Sequence, residues 1–249
     1  ALAGVEALIR WDHPTRGTVP PDEFIGEAER VGCINEITEF VLSTACREVA
    51  AWRHAELATT PEFTLSVNVS AVDLGDDALA ARISEVLAET GLPSRWLHLE
   101  LTETALMRDV EAVVNRLIAL RLLGIRLAMD DFGTGESSLA HLHRFPIDVV
   151  KIDRYFLARL DDHDRGAVIA RSVVTLAGAL GHVTVAEGIE TSMQARLVRD
   201  FGCAFGQGFL FSRPLRPEAL RRILADPQGF ADTNVKAGGL DAPLRAFSA

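Results

Sequence analysis

Cysteine is scarce in this chain. Cys33, Cys46 and Cys203 are the only three in 249 residues. An odd number, widely spaced and without a Cys-x-x-Cys pair, excludes a disulfide framework and a thiolate zinc site, and indicates reduced thiols. Basic residues are outnumbered as well: 25 Lys and Arg face 35 Asp and Glu, a formal net charge of −10. That balance speaks against the basic face needed to bind duplex nucleic acid or an anionic membrane, so no DNA partner is expected. A phosphate-bearing substrate would have to find its positive charge elsewhere. No apolar run approaches the roughly 18 residues of a membrane span, and no charged-then-apolar leader opens the chain. The expectation is a soluble, cytoplasmic domain that does not itself insert into a membrane, even where a parent protein is membrane-anchored.

What is present fits a globular enzyme. Hydrophobic residues make up 48% and charged residues 24% of the chain, enough for a sizeable core and unlike disordered or fibrous sequences. The length suits a single α/β barrel of about 250 residues. Strand-length apolar segments alternate with longer segments of helical period, the pattern of repeated βα units around a parallel sheet. The expected strands are Val5–Ile9, Thr64–Val69, Trp96–Leu101, Arg126–Met129, Val149–Ile152, Val183–Ala186 and a short one near Ala204. Helices are expected at Pro21–Val31, Asn35–His54, Asp77–Thr90, Val110–Leu123, Gly166–Leu180, Met193–Phe201 and Pro217–Leu224. Seven strands are one short of a closed eight-stranded barrel, as though a first strand were missing upstream. Residues 1–225 are read as the barrel. The stretch 226–249, richer in Gly, Pro and Ala and without period, is read as a C-terminal extension beyond it.

The polar residues that break the apolar pattern fall at or just past strand ends, where barrel enzymes build their sites. Glu6 stands in the first strand, Asn68 ends Leu65-Ser66-Val67-Asn68, and Glu100 follows Trp96-Leu97-His98-Leu99. The next strand runs into Asp130-Asp131-Phe132-Gly133-Thr134-Gly135, where two adjacent carboxylates, pointing in different directions, suit two metal ions. Lys151, Glu187 and Gln207 end the strands that follow. A single Asp or Glu is most often a solvated residue or half of a surface ion pair. Acids in register at successive strand ends weaken that reading. Oxygen donors without clustered His or Cys select hard cations, so one or two Mg²⁺ or Mn²⁺ ions are favoured over Zn²⁺. The five acids Glu6, Glu100, Asp130, Asp131 and Glu187, with Lys151 as the nearby cation, would repel one another and any phosphate unless metal neutralised them. Residue chemistry alone stops at metal-assisted hydrolysis or proton abstraction, since many reactions share this architecture.

The strings themselves go further. Glu6-Ala7-Leu8 with Arg10-Trp11, Ser66-Val67-Asn68-Val69-Ser70, Glu100-Leu101-Thr102-Glu103, Asp130-Asp131-Phe132-Gly133-Thr134-Gly135, Val150-Lys151-Ile152-Asp153, Glu187-Gly188-Ile189-Glu190 and Gln207-Gly208 occur in order. This set closely resembles the EAL family of cyclic di-GMP phosphodiesterases, from the first residues to Pro214-Leu215. The resemblance implies a TIM-like (β/α) barrel modified with one antiparallel strand, and hydrolysis of cyclic di-GMP to linear pGpG by a two-metal activated water. It implies that Glu6, Asn68, Glu100 and Asp130 are ligands of one metal, and that Asp131 shares Asp130 with a second. Glu187 then binds metal or helps activate water, and Lys151 orients the nucleophilic water. Gln207 contacts the metal's surroundings, and Arg10 pairs with a substrate phosphate. Glu103 and Glu190 hold the Asp-Asp-Phe-Gly-Thr-Gly loop, with Glu190 also near substrate; that loop, hinged at Gly133 and Gly135, shapes a homodimer contact. Ca²⁺ is expected to inhibit, because a larger ion with looser geometry cannot hold the same spacing. The family also implies an upstream sensor or cyclase-like domain in the parent protein.

Two departures stand out: Glu136 follows Gly135 where an aromatic is common in the family, and Gly26 stands where proline is common. The alternatives are a catalytically inactive cyclic di-GMP receptor and a metal-dependent lyase using Lys151 as base. Retention of every ligand position argues against the receptor. His98, His141, His143 and His182 are scattered without ligand spacing and are read as structural or surface residues. Phe205, Phe209 and Phe211 are read as core, and Arg213, Arg216, Arg221 and Arg222 as a solvated helix face.

Overall fold

A computed structural model of the chain describes residues 2–58, 63–107, 109–133, 142–157, 165–226 and 245–248. Eight parallel strands close into a barrel. They are β1 (Leu2–Ala7), β4 (Thr64–Asn68), β5 (Leu97–Thr102), β6 (Arg126–Phe132), β7 (Val149–Ile152), β8 (Val183–Ala186), β9 (Phe205–Gln207) and β10 (Arg245–Ser248). The two remaining strands, β2 (Trp11–His13) and β3 (Gly17–Val19), form an antiparallel hairpin outside the barrel. Among the described residues this is the only antiparallel pair; every barrel neighbour pairs parallel.

The slot for an eighth strand is filled from the C-terminus. β10 lies between β1 and β9, with Ala246 opposite Leu2 on one side and Gly206 on the other. Part of the segment read as an extension beyond the barrel therefore belongs to its wall. Four residues, Arg-Ala-Phe-Ser, are too few to display a period of two, which is why the sequence pattern does not announce them.

Helices occupy the outer layer: α1 (Pro21–Val31), α2 (Ile34–His54), α3 (Ala71–Gly75), α4 (Leu79–Thr90), α5 (Glu103–Leu106), α6 (Val110–Leu122), α7 (Arg154–Leu157), α8 (Arg165–Ala179), α9 (Ser192–Asp200) and α10 (Pro217–Ala225). Proline at the first helical position, preset in φ and with no N–H to orphan, starts α1 and α10. Ile34, Thr38, Leu42, Cys46, Val49 and Ala50 form one buried stripe along α2, the spacing of a helix with one face on the core.

Strand alternation separates two environments. Leu65 and Val67 of β4, Leu97, Leu99 and Leu101 of β5, Leu127 and Met129 of β6, and Val150 and Ile152 of β7 point outward into the main core beneath the helices. The alternate residues face the barrel interior. There a smaller apolar cluster forms, of Ala3, Ala128, Val149 and Val185 with Val183 and Phe205 packed against it, beside polar side chains. The three cysteines are free, and burial pushes the Cys46 thiol up to about 12, so it packs as a small inert hydrophobe.

Because β10 supplies hydrogen bonds to both β1 and β9, deleting residues 227–249 should lower the thermal midpoint and increase binding of a hydrophobic dye. An unchanged melting curve would show that β10 contributes nothing to closure.

Candidate metal centre at the strand ends

Lys151 is the hub of the barrel interior. Its side chain is 3% exposed, and its Nζ lies 2.5 Å from Glu100 Oε2, 2.6 Å from Glu187 Oε1, 3.4 Å from Asp130 Oδ1 and 3.7 Å from Glu6 Oε2. Four carboxylates from four strands, β1, β5, β6 and the end of β8, thus converge on one ammonium. Two amides complete the ring: Asn68 Nδ2 donates to Glu6 Oε1 at 2.8 Å and Gln207 Nε2 donates to Glu6 Oε2 at 2.6 Å. Parallel register brings these residues level, with Asn68 opposite Glu100.

Asp130 and Asp131 are adjacent, so strict alternation would send them to opposite faces of the sheet. A break in the β6–β7 register between Met129 and Phe132 prevents that. Asp131 adopts φ 54, a left-handed conformation costing a non-glycine residue about 1 kcal/mol or more. The bulge re-aims its side chain, as bulges beside functional sites do. Ligand atoms of Asp130, Asp131 and Glu187 consequently lie within 4.8 Å of one another. Both acids thus face one site.

Glycines after two of the strands permit the close approach. A Cβ on Gly208 would stand 2.2 Å from Ile189 O, and one on Gly188 would stand 2.3 Å from Arg154 Cβ. These residues follow Gln207 and Glu187 directly, so the loops can cross without displacing either side chain.

The electrostatics show an excess of negative charge. Burial pushes the Glu187 carboxyl up to about 8, with Lys151 opposing and Asp130 and Glu6 adding repulsion. Burial raises Glu100 well above its ordinary value, only partly countered by Lys151. Asp131 rises to about 6 through burial and the neighbouring Asp130 and Asp153. Glu6 goes the other way: burial would raise it, but Lys151, Gln207 and Asn68 hold it below the usual carboxylate range. Burial would discharge Lys151, but Glu100, Glu187, Glu6 and Asp130 keep it protonated. A single cation cannot balance five acids, and a set of carboxylate and amide oxygens in this state is a donor set for a hard divalent cation.

The remaining expected residues are placed as follows. Glu103 is buried at 3% exposure, and its Oε2 accepts from the Gly133 N–H at 3.1 Å, holding the start of the loop after β6. Glu190 is exposed and lines a cleft with Gly133, Asp153, Arg154, Tyr155, Gly188 and Gln194. Arg10 is exposed, donates to the Ile9 carbonyl, and borders a groove whose wall includes Glu6, Pro214 and Leu215. Thr134, Gly135, Glu136 and His141 lie outside the described residues. Asp153 is a neighbour that sequence reasoning left without a role: it hydrogen-bonds Asp131, and its place two residues beyond Lys151, past a strand end, was the available signal. His98 faces the interior, where burial and Arg126 push it down to about 4, so it is neutral.

Comparison with known proteins finds a family and several relatives. The family model described as the EAL domain matches residues 1–214. An uncharacterized signaling protein of Caulobacter vibrioides is 43% identical over 88% of the chain and 26% of its own length. Cyclic di-GMP phosphodiesterase NbdA of Pseudomonas aeruginosa is 42% identical over 88% of the chain and 28% of its own length. The chain thus spans about a quarter of these relatives. Among solved structures, the PaMucR phosphodiesterase in complex with c-di-GMP superposes with a TM-score of 0.83 at 38% identity, covering 88% of each chain.

The raised Glu187 carboxyl makes a signed prediction for metal-free protein. Its protonated form is favoured on folding, so its contribution is complete below its ordinary 4.5 and is lost as pH rises to about 8. Glu187→Gln should therefore match the unsubstituted protein in thermal midpoint near pH 5 and exceed it near pH 8 in the presence of chelator. Equal midpoints at both values would contradict the charge excess.

Proposed function

The chain belongs to the EAL domain family, and on that footing we propose that it is a metal-dependent phosphodiesterase that hydrolyses cyclic di-GMP to linear pGpG. The observation that carries the reading is the complete ring of oxygen donors around Lys151, since a receptor that only binds has no need of acids whose mutual repulsion costs stability. Glu6, Asn68, Glu100 and Asp130 would hold one Mg²⁺ or Mn²⁺, and Asp130, Asp131 and Glu187 a second. When bound, such ions supply Lewis-acid polarisation and lower the pKa of water toward neutrality.

The chain's own groups do the rest. Gln207 and Asn68 fix both oxygens of Glu6, and partners of this kind commonly carry about 10–100-fold of metal affinity or activity. Lys151, held protonated, orients the attacking water and stabilises charge that develops on the phosphoryl oxygens. We assign to Glu187 the acceptance of the water's proton. Water oxygen bonds to phosphorus, one P–O bond breaks, and the leaving oxygen takes a proton, so no covalent enzyme intermediate is required. Arg10, on the groove beside Glu6, pairs with a substrate phosphate, and Glu190, on the cleft beside Gly133, contacts the substrate. Glu103 sets the loop that follows Asp131, which we assign to a homodimer contact. The greater length of the relatives supports an additional sensor or cyclase-like domain in the parent protein, and a cytoplasmic site of action fits the substrate. No described helix is long and apolar enough to cross a membrane.

Chromatography of cyclic di-GMP incubated with the protein and Mg²⁺ or Mn²⁺ should show linear pGpG, abolished by chelator and suppressed by excess Ca²⁺. Glu6→Ala and Asp130→Ala should each lower the rate by about 10²-fold or more, the scale of losing an electrostatic group aimed at the transition state. Binding without turnover in the native protein would instead establish a receptor.

A further inference from the structure

Barrels of this kind are normally filled by layers of bulky side chains and are not pores. In this chain the layer beneath the carboxylates is hollow. A cavity of about 230 Å³ lies inside the strands, bounded by the exposed Arg126 and by the buried Glu100 and Lys151. The space exists because Ala3 and Ala128 stand at interior positions that larger residues would fill. Its volume is far above the roughly 15 Å³ that a single water requires.

Two wall residues bear on the occupant. His98 and Thr64 line this cavity, and their Nε2 and Oγ1 atoms are buried with no hydrogen-bond partner among the described residues. Their residues are only 5% and 8% exposed. Buried polar groups are satisfied in folded proteins, by ordered water where protein atoms do not reach. Glu100, the carboxylate in the wall, is already paired with Lys151 at 2.5 Å, so beside the cations Arg126 and Lys151 the wall offers hydroxyl, imidazole and amide groups suited to water and no free acid for a metal.

We propose that this cavity is filled with ordered water and is the route by which water reaches the carboxylate ring from the base of the barrel while substrate covers the opposite end. The inference rests on the phosphodiesterase reading, in which each turnover adds one water across a P–O bond: the oxygen goes to phosphorus and a proton to the leaving oxygen. A dinucleotide over the C-terminal ends of the strands obstructs supply from that side, whereas the lower cavity touches Lys151 and Gln207 directly.

Three measurements test it on the whole chain. A high-resolution crystal structure should show waters within hydrogen-bond distance of His98 Nε2 and Thr64 Oγ1; a dry cavity, or an organic molecule in it, would overturn the proposal. Thr64→Val keeps the shape and removes the hydroxyl. Its thermal midpoint should fall if waters bind there, whereas a rise would show that the hydroxyl was orphaned in a dry void. Val183→Phe, at the cavity wall and away from the acids, should plug the route and lower kcat severalfold at saturating substrate, with affinity measured in Ca²⁺ unchanged; Val183→Leu serves as the milder plug should the larger ring prevent folding. Undiminished kcat in the folded plug variant would overturn the route. Failure of the phosphodiesterase reading is distinct, because unsubstituted protein would then show no pGpG whatever the cavity holds.

Discussion

One buried ammonium surrounded by carboxylates sets the terms for the rest of this structure. Lys151 draws Glu6, Glu100, Asp130 and Glu187 from four strands to within 3.7 Å, and none of these groups could stand in the interior alone. Taking an unpaired charge out of water costs several kcal/mol or more, which partners must offset. The offset is incomplete: one positive charge faces four acids, so protons stay on Glu187 and Glu100 above their ordinary range. A divalent cation is the natural replacement for those protons. The proposed chemistry follows from that exchange, because a centre that binds metal to relieve repulsion also presents the metal to an anionic substrate.

The backbone is arranged to serve this cluster. The bulge in β6 turns two successive aspartates toward one site, and Asp131 accepts left-handed geometry to do so. Gly188 and Gly208 let the loops after β8 and β9 cross at distances no side chain allows. Outside the strands, leucine, valine and isoleucine form the continuous core that holds the register. Inside, small residues replace the usual filling, which leaves the cavity below Lys151. Stability is thus located in the outer layer, and the inner layer is released for function.

Much of this was legible in the sequence. β7 and β8 coincide with their apolar runs, and α1 coincides with the segment that Pro21 opens and Gly32 closes. The ring residues were legible because each breaks an apolar strand at its end. The elements that escaped notice are those without a periodic signal: the β2–β3 hairpin of three-residue strands, the single-turn helices α3, α5 and α7, and the four-residue β10. Thr64 and His98 read as ordinary strand residues, and only the barrel's closure shows that they face a void.

The central claim is that the oxygen ring around Lys151 is a metal site. Anomalous X-ray diffraction from crystals equilibrated with Mn²⁺ tests it directly. The account predicts an anomalous peak coordinated by Glu6, Asn68, Glu100 and Asp130. Ordered side chains around Lys151 with no peak among them, or Mn²⁺ bound only elsewhere on the protein, would contradict it.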